Sequence, residues 1–304
     1  MAVELTLVVV LAAVLDRLVR ELPARVHPVV VFGRLVDRAD REWSRPRLAG
    51  VAVALALPVL PTAVAFGVVS VAVALHPLLG VLAAGAALFT TTSLQMLLEE
   101  AAGVIEASST DPAAARERLP ALAGRDPADL SPDLLRSAAV ESASENLADG
   151  LVAPLLAFAL LAPVSLALGA AAAAWLKAVN TLDSMLGYPS KPHGWASARL
   201  DDLVMWVPAR VSALLLSAAA LSPDPVLTAR RWRGETASPN SGWPMATAAG
   251  ALQVRLEKPD AYVLNELASL PTTEQAHRGV ALVGRAGVLA YAIAALSGVI
   301  AWLP

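Results

Sequence analysis

From Leu48 to Leu98 the chain carries no Asp, Glu, Lys or Arg, and His76-Pro77 and Gly80 interrupt the run. A membrane span takes about 20 consecutive apolar residues, so this stretch predicts two spanning helices joined by a tight turn. Water cannot solvate such a surface. The 57% hydrophobic and 16% charged composition, with a mean hydropathy of +0.60, likewise exceeds what a soluble core needs.

The rest of the chain divides around that anchor. A second uncharged run, Gly150 to Leu176, is long enough for one tilted span, but Pro154, Pro163 and Gly169 would equally fold it as a broken or re-entrant hairpin. Leu203 to Ser222 is apolar except for Arg210 and is broken early by Pro208, whereas Ala286 to Leu303 is a clean terminal span. At the N-terminus the apolar run from Leu5 to Leu15 passes straight into Asp16 and Arg17 with no small-residue cleavage site, so it reads as a retained helix. The expected architecture is all-α: a polytopic integral membrane helical protein forming one domain, residues 1–304, with membrane segments near 3–22, 49–75, 78–98, 151–176, 203–222 and 281–303. Polar helices and loops at 99–150, 180–202 and 223–278 would form an active-site cap. Eight arginines between the first two segments, Arg17 to Arg47, place that loop and the cap in the cytoplasm. The expected location is the cell (inner or plasma) membrane, with the lipid bilayer as a partner and the active site facing the cytoplasm.

Several function classes drop out. A formal charge of -3 gives no basic field for nucleic acid, and the absence of cysteine removes disulfides, thiolate metal sites and thiol catalysis. Phosphate-binding, dinucleotide-binding, serine-hydrolase and zinc-protease motifs are missing. The four scattered histidines, His27, His76, His193 and His277, make no zinc set and read as structural.

Four polar strings remain as candidate chemistry. Glu141, Glu145 and Asp149 are spaced four residues apart and would stack on one helical face beside Asn146; like charges at that spacing repel, and a divalent or organic cation would relieve them. A solvated acidic face is the equally weighted alternative. Lys177, Asn180, Thr181, Asp183 and Ser184 follow an apolar run directly, where polar groups are costly unless they line a cavity; an ordinary helix end closed by Gly187 is the bland reading. Arg199, Asp201 and Asp202 precede Arg210, an arginine near lipid that wants an anion unless it merely snorkels. Ser238-Pro239-Asn240-Ser241-Gly242-Trp243-Pro244 is either an anion cradle or a plain β-turn.

Taken together and in this order, these strings resemble the adenosylcobinamide-phosphate synthase family of cobalamin biosynthesis (the CobD/CbiB family). The resemblance runs from His27-Pro28 and Gly33-Arg34 to Ala249-Gly250-Ala251, and its core is Ala139 to Pro154, Asn180 to Tyr188, Trp195 to Arg210 and Ser238 to Pro244. The chain departs from the family pattern at Arg20-Glu21-Leu22-Pro23, where Gly-Asp-Pro is usual. Met245 stands where Glu is common, and Leu256-Glu257-Lys258 replaces Leu-Gly-Gly.

The resemblance implies an ATP-dependent ligase that joins a carboxylate of adenosylcobyric acid to (R)-1-aminopropan-2-ol, usually as its O-phosphate. On that reading Glu141, Glu145, Asp149, Asp183, Arg199, Asp202 and Arg210 are catalytic. Glu145, Asp183, Asp201 and Asp202 hold Mg²⁺, and Asn146, Lys177, Asn180, Thr181, Ser184, Ser238, Asn240, Ser241, Gly242 and Trp243 bind substrate or nucleotide. ATP and Mg²⁺ are the cofactors, adenosylcobyric acid and aminopropanol phosphate the partners, and a homo-oligomer or association with other membrane enzymes of the pathway is compatible with the reading. Two alternatives of other classes stay open: a non-catalytic membrane sensor of the same fold, and a transporter, although no inverted repeat is visible.

Overall fold

The computed structural model describes residues 2–300, with side chains from residue 3 to residue 298. The last part of the expected terminal segment, residues 301–303, lies outside the described residues. In chain order the helices are α1 (Ala2–Val19), α2 (Pro28–Ala39), α3 (Pro46–Ala56), α4 (Val59–Leu75), α5 (Pro77–Phe89), α6 (Leu94–Thr110), α7 (Pro112–Arg118) and α8 (Pro132–Leu147). They continue as α9 (Ala153–Leu161), α10 (Leu166–Leu186), α11 (Trp195–Val204), α12 (Trp206–Ala219), α13 (Asp224–Trp232), α14 (Gly242–Leu252) and α15 (Thr273–Ile300). The only strands among the described residues, β1 (Leu256–Lys258) and β2 (Tyr262–Leu264), pair antiparallel.

Four stretches are long and apolar enough to cross a membrane: Pro46–Leu75, Pro77–Thr110, Pro132–Leu161 and Thr273–Gly298. A fifth is added if Pro192–Val204 and Trp206–Ala219, bent between them, are one broken span or re-entrant loop. Only 17% of the apolar window in Pro46–Leu75 is buried inside the protein, and Leu55, Leu60, Val64, Val68 and Val71 point outward. A surface of that kind is stable only against lipid, so the chain is a multi-pass helical membrane protein. The α1 segment carries Glu4, Asp16 and Arg17 and falls outside this set.

The chain divides into two compact units. The first comprises residues 1–93, 149–205 and 291–304. Within it His76 turns the chain between α4 and α5, its Nδ1 accepting from Leu78 N at 3.1 Å in the place a Ser or Asp cap would take. His27 opens α2 in the same way, accepting from Val29 N, and burial holds its imidazole below its ordinary pKa. The expected segment 151–176 is broken at Ala162–Ser165 into α9 and α10, with Ser165 capping α10 through Leu168 N. At Gly169 a Cβ would press on Phe158 and Ala162, so only glycine lets the two helices approach this closely. Phe158 against Gly169 and Asp149 against Asn180 fix one antiparallel register, which returns the end of α10 to the level of Asp149. Beyond α10, Asp40 receives Lys191 Nζ and lies 3.1 Å from His193 Nε2, tying the end of α2 to the loop that leads into α11.

The second unit comprises residues 94–148 and 206–290. Its core joins Val104, Ile105, Leu119, Leu135, Val140 and Trp232, among other buried side chains. Two Asp-Pro pairs punctuate the unit: Asp111 Oδ1 caps α7 by accepting from Ala113 N and Ala114 N, and Asp126 Oδ1 accepts from Ala128 N. The β1–β2 hairpin closes through Ala261 N donating to Lys258 O at 3.1 Å, with Pro259 leading and Asp260 in the left-handed region at φ 59°. Its register sets Lys258 directly across from Tyr262.

Candidate functional site

In the first unit, the α9–α10 hairpin and α11 bring together residues that are far apart in sequence. Asp149 sits at the start of a π-helical turn, Ala148–Val152, a form that occurs often at functional sites. Asn180 hydrogen-bonds Asp149 and also donates Nδ2 to Asp201 Oδ1 at 3.5 Å. The Lys177 ammonium lies in the field of Asp149 and Asp201, and Asp183 feels both Asp201 and Asp202. Arg199 Nη1 is 3.6 Å from Asp202. Four carboxylates, Asp149, Asp183, Asp201 and Asp202, therefore gather around the half-buried Lys177 ammonium, with the exposed Arg199 guanidinium against Asp202.

Gly187 shapes this cluster. A Cβ there would run into the Asp183 carboxylate and backbone carbonyl, so the carboxylate folds back over the helix end. Thr181 and Ser184 donate their hydroxyls to the carbonyls of Lys177 and Asn180, four residues earlier. Lys177 and Thr181 also line an apolar cavity of about 460 Å³ formed by α2, α4, α5 and α10. One turn before Asp201, the hydroxyl of Ser197 is buried with no hydrogen-bond partner among the described residues.

In the second unit, Glu141 is 1% exposed and fully engaged. Its Oε2 accepts from Arg125 Nη2 at 2.7 Å and from the Tyr262 hydroxyl at 2.7 Å, while Oε1 accepts from Ser137 Oγ at 2.6 Å. Ser137 Oγ in turn accepts from Glu257 N at 2.8 Å, which pins β1 to α8. Glu141 is thus a positioning residue for Arg125 and Tyr262. Burial, then the neighbouring Glu141 carboxylate, push the Tyr262 hydroxyl far above its ordinary range, so it remains a proton donor.

Next to this network is a cavity of about 270 Å³, whose walls include Arg125, Glu145, Ser238, Ser241, Lys258 and Tyr262. Met245 lines it too. Ser238 Oγ accepts from Asn240 N at 3.2 Å, and the turn runs on into α14 at Gly242, where a Cβ would strike the Arg233 carbonyl. Asn146 donates back to Ser142 O at 2.9 Å.

Arg210, an arginine near lipid that the sequence expects to seek an anion, meets neutral groups in the structure. Its Nη1 donates to Asn240 Oδ1 at 2.7 Å and to Trp206 O at 2.8 Å. The guanidinium also stands 4.3 Å over the Trp206 ring and 5.3 Å from the Trp243 ring; amide and aromatic faces satisfy it. The indole nitrogen of Trp243 is buried without a hydrogen-bond partner among the described residues.

For the metal, no group of three or more His, Cys, Asp or Glu among the described residues is arranged to hold an ion. A closed cage is therefore not what the expected ligands Asp183, Asp201 and Asp202 form, and Glu145 lines the other unit's cavity. Magnesium asks for less: one or two carboxylates, completed by water and phosphate oxygens. The hard oxygen donors of Asp183 and Asp202, neighbours in one electrostatic cluster, fit that demand.

Fold and sites together define a polytopic helical membrane protein with an acidic cluster around a half-buried lysine in one unit, and a mixed-charge cavity in the other. The CobD/CbiB protein family model matches residues 9–289, and the chain belongs to that family. It is 38% identical to the probable cobalamin biosynthesis protein CobD of Methanothrix thermoacetophila, over 95% of each chain. Identity to the cobalamin biosynthesis protein CobD of Klebsiella pneumoniae is 38%, over 83% of this chain and 82% of the relative. For that of Rhodobacter capsulatus it is 37%, over 86% and 85%. No solved structure matches the chain.

Proposed function

We propose that the chain is a cobalamin-biosynthetic ligase that uses ATP to join a carboxylate of adenosylcobyric acid to the amine of (R)-1-aminopropan-2-ol or its O-phosphate, at the cytoplasmic face of the cell membrane. Family membership supports the pathway. The observation that carries the chemistry is the convergence of Asp149, Lys177, Asn180, Asp183 and Asp201 inside the first unit, a costly assembly for a merely structural helix end.

The reaction needs two activations. The substrate carboxylate oxygen attacks the terminal phosphorus of ATP and ADP leaves; the amine, having lost a proton, then attacks the acyl carbon and phosphate leaves. Magnesium, held by Asp183 and Asp202, would neutralise charge on the transferring phosphoryl group. Lys177 and Asn180 offer donors to the corrinoid carboxylate beside the apolar cavity. Arg199 offers positive charge to phosphoryl oxygens.

The test is direct. Purified protein in detergent, given adenosylcobyric acid, aminopropanol phosphate, ATP and Mg²⁺, should yield adenosylcobinamide phosphate by mass, with one ADP for each product. Folded protein and intact substrates with no product would overturn the proposal.

A further inference from the structure

The apolar cavity of about 460 Å³ between α2, α4, α5 and α10 opens onto lipid. Leu60, Val64 and Val68, which line it from α4 at every fourth residue, are each at least half exposed and belong to the Pro46–Leu75 span. The polar groups in its walls are already spent. Thr90, Thr91 and Thr181 donate their hydroxyls to the carbonyls of Ala87, Leu88 and Lys177, and the Lys177 ammonium answers to Asp149 and Asp201. A ligand with hydrogen-bonding groups would leave them unmet here, which is costly, so the fitting occupant is hydrocarbon. An apolar cavity of about 150 Å³ already holds a benzene ring, and this one has room for a longer chain.

One edge of the cavity is cationic. Val31 on α2 both lines the cavity and is exposed, so it marks the rim. At about 100° per residue, Arg38 falls within about 20° of Val31 on the helix surface and Arg34 within about 60°, and both arginines are exposed. The acids of this stretch do not compensate them. Asp37 lies about 100° round the helix from Arg38, and Asp40 is occupied by Lys191 and His193. Just beyond α2, the Arg41 guanidinium stacks 4.2 Å from the Trp43 ring, whose indole nitrogen donates to Ala39 O at 3.0 Å. Tryptophan marks the headgroup level of a bilayer, and arginines clustered at that level attract anionic lipid.

We propose that this cavity holds an acyl chain of one anionic phospholipid, whose phosphate lies against Arg34 and Arg38. An apolar groove with a cationic rim matches the two ends of such a molecule. The chain fills the space that Lys177 and Thr181 help to line, so the lipid is a structural partner of the unit that carries the acidic cluster. Lipids that merely surround the protein have neither a fixed number nor a preference set by two side chains.

The experiment is native mass spectrometry of the delipidated full-length protein in detergent, titrated with phosphatidylglycerol or with phosphatidylcholine of the same chains. One phosphatidylglycerol should bind per chain, at least about tenfold more tightly than phosphatidylcholine, as two arginines facing a net negative headgroup require. The double variant Arg34→Gln, Arg38→Gln should lose that preference and keep its affinity for phosphatidylcholine. Ala65→Phe, which fills the cavity from α4, should retain neither lipid; should that variant not fold, the arginine pair decides alone. Equal affinity for the two lipids, a preference untouched in the arginine variant, or a folded Ala65→Phe protein that still retains phosphatidylglycerol would overturn the proposal. So would displacement of the bound lipid by adenosylcobyric acid, which would make the cavity part of a corrinoid site.

Discussion

Replacing Glu141 with Gln keeps the shape of the side chain and removes its charge. In the native protein one Glu141 oxygen accepts from both Arg125 and Tyr262, and the other accepts from Ser137. The amide offers a single acceptor oxygen and turns its NH₂ toward a neighbour, and Arg125, with a side chain only 10% exposed, loses its counter-charge. Breaking a buried ion pair by neutralising one partner costs about 3–5 kcal/mol. Tyr262→Phe leaves the carboxylate two of its three donors, so it should cost less, on the order of 1.5 kcal/mol for one bond to a charged acceptor. Because the residues share one network, the double variant should lose less than the sum of the single losses. Denaturant titration in detergent, followed by tryptophan fluorescence, reads this out, since Trp232 lies in the same core. A Glu141→Gln variant within about 0.5 kcal/mol of wild type, the range of ordinary surface changes, would refute the claim that the carboxylate anchors the hairpin and Arg125.

Gly187→Ala should slow turnover at least tenfold and also lower the melting temperature, because the new methyl displaces the Asp183 carboxylate and presses on the Asp183 backbone carbonyl; steady-state rates on folded protein beside a melting curve check it, and an unchanged rate would remove Asp183 from the site. Asp40 is held below its ordinary pKa of 3.8, chiefly by the hydrogen bond from Lys191, so its contribution to stability is complete above that value and is lost as pH falls through the lower folded value. Acid unfolding of Asp40→Asn should therefore show a flatter pH dependence below about pH 4 than wild type, and identical profiles would contradict the assignment. In this cysteine-free chain, a single cysteine at Arg41 should react with an impermeant maleimide only when the inner face is open to the reagent; labelling from outside intact cells would reverse the proposed orientation.

The membrane part was legible because its signal is local. An uncharged run of this length has one stable solvent, and the His76-Pro77 turn is written in adjacent residues. The α9–α10 break was readable as an alternative from Pro163 and Gly169, but its register was not, since that depends on Phe158 meeting Gly169 across a turn. The four-residue spacing of Glu141, Glu145 and Asp149 suggested one common face. In the structure Glu141 is sealed by Arg125 and Tyr262, Glu145 lines a cavity, and Asp149 opens a π-helical turn that breaks the 3.6-residue phase. Arg125, Lys258 and Tyr262 were missed altogether. Arg125 sits in a Gly-Arg-Asp-Pro loop that reads as punctuation, and Tyr262 reaches Glu141 across 121 residues of chain. Partnerships over such distances leave no periodic mark. The Pro-Asp pair at 259–260 was the one local hint of the hairpin that positions Lys258 and Tyr262.

The central claim is that the carboxylates gathered around the end of α10 do chemistry rather than hold the fold. Its most direct test is the rate of ATP-dependent amide formation by Asp183→Asn and Asp202→Asn, measured by product mass on protein whose melting curve matches wild type. Turnover should fall to background in both variants while folding and detergent behaviour stay intact. Wild-type rates in both would show that these side chains serve structure alone.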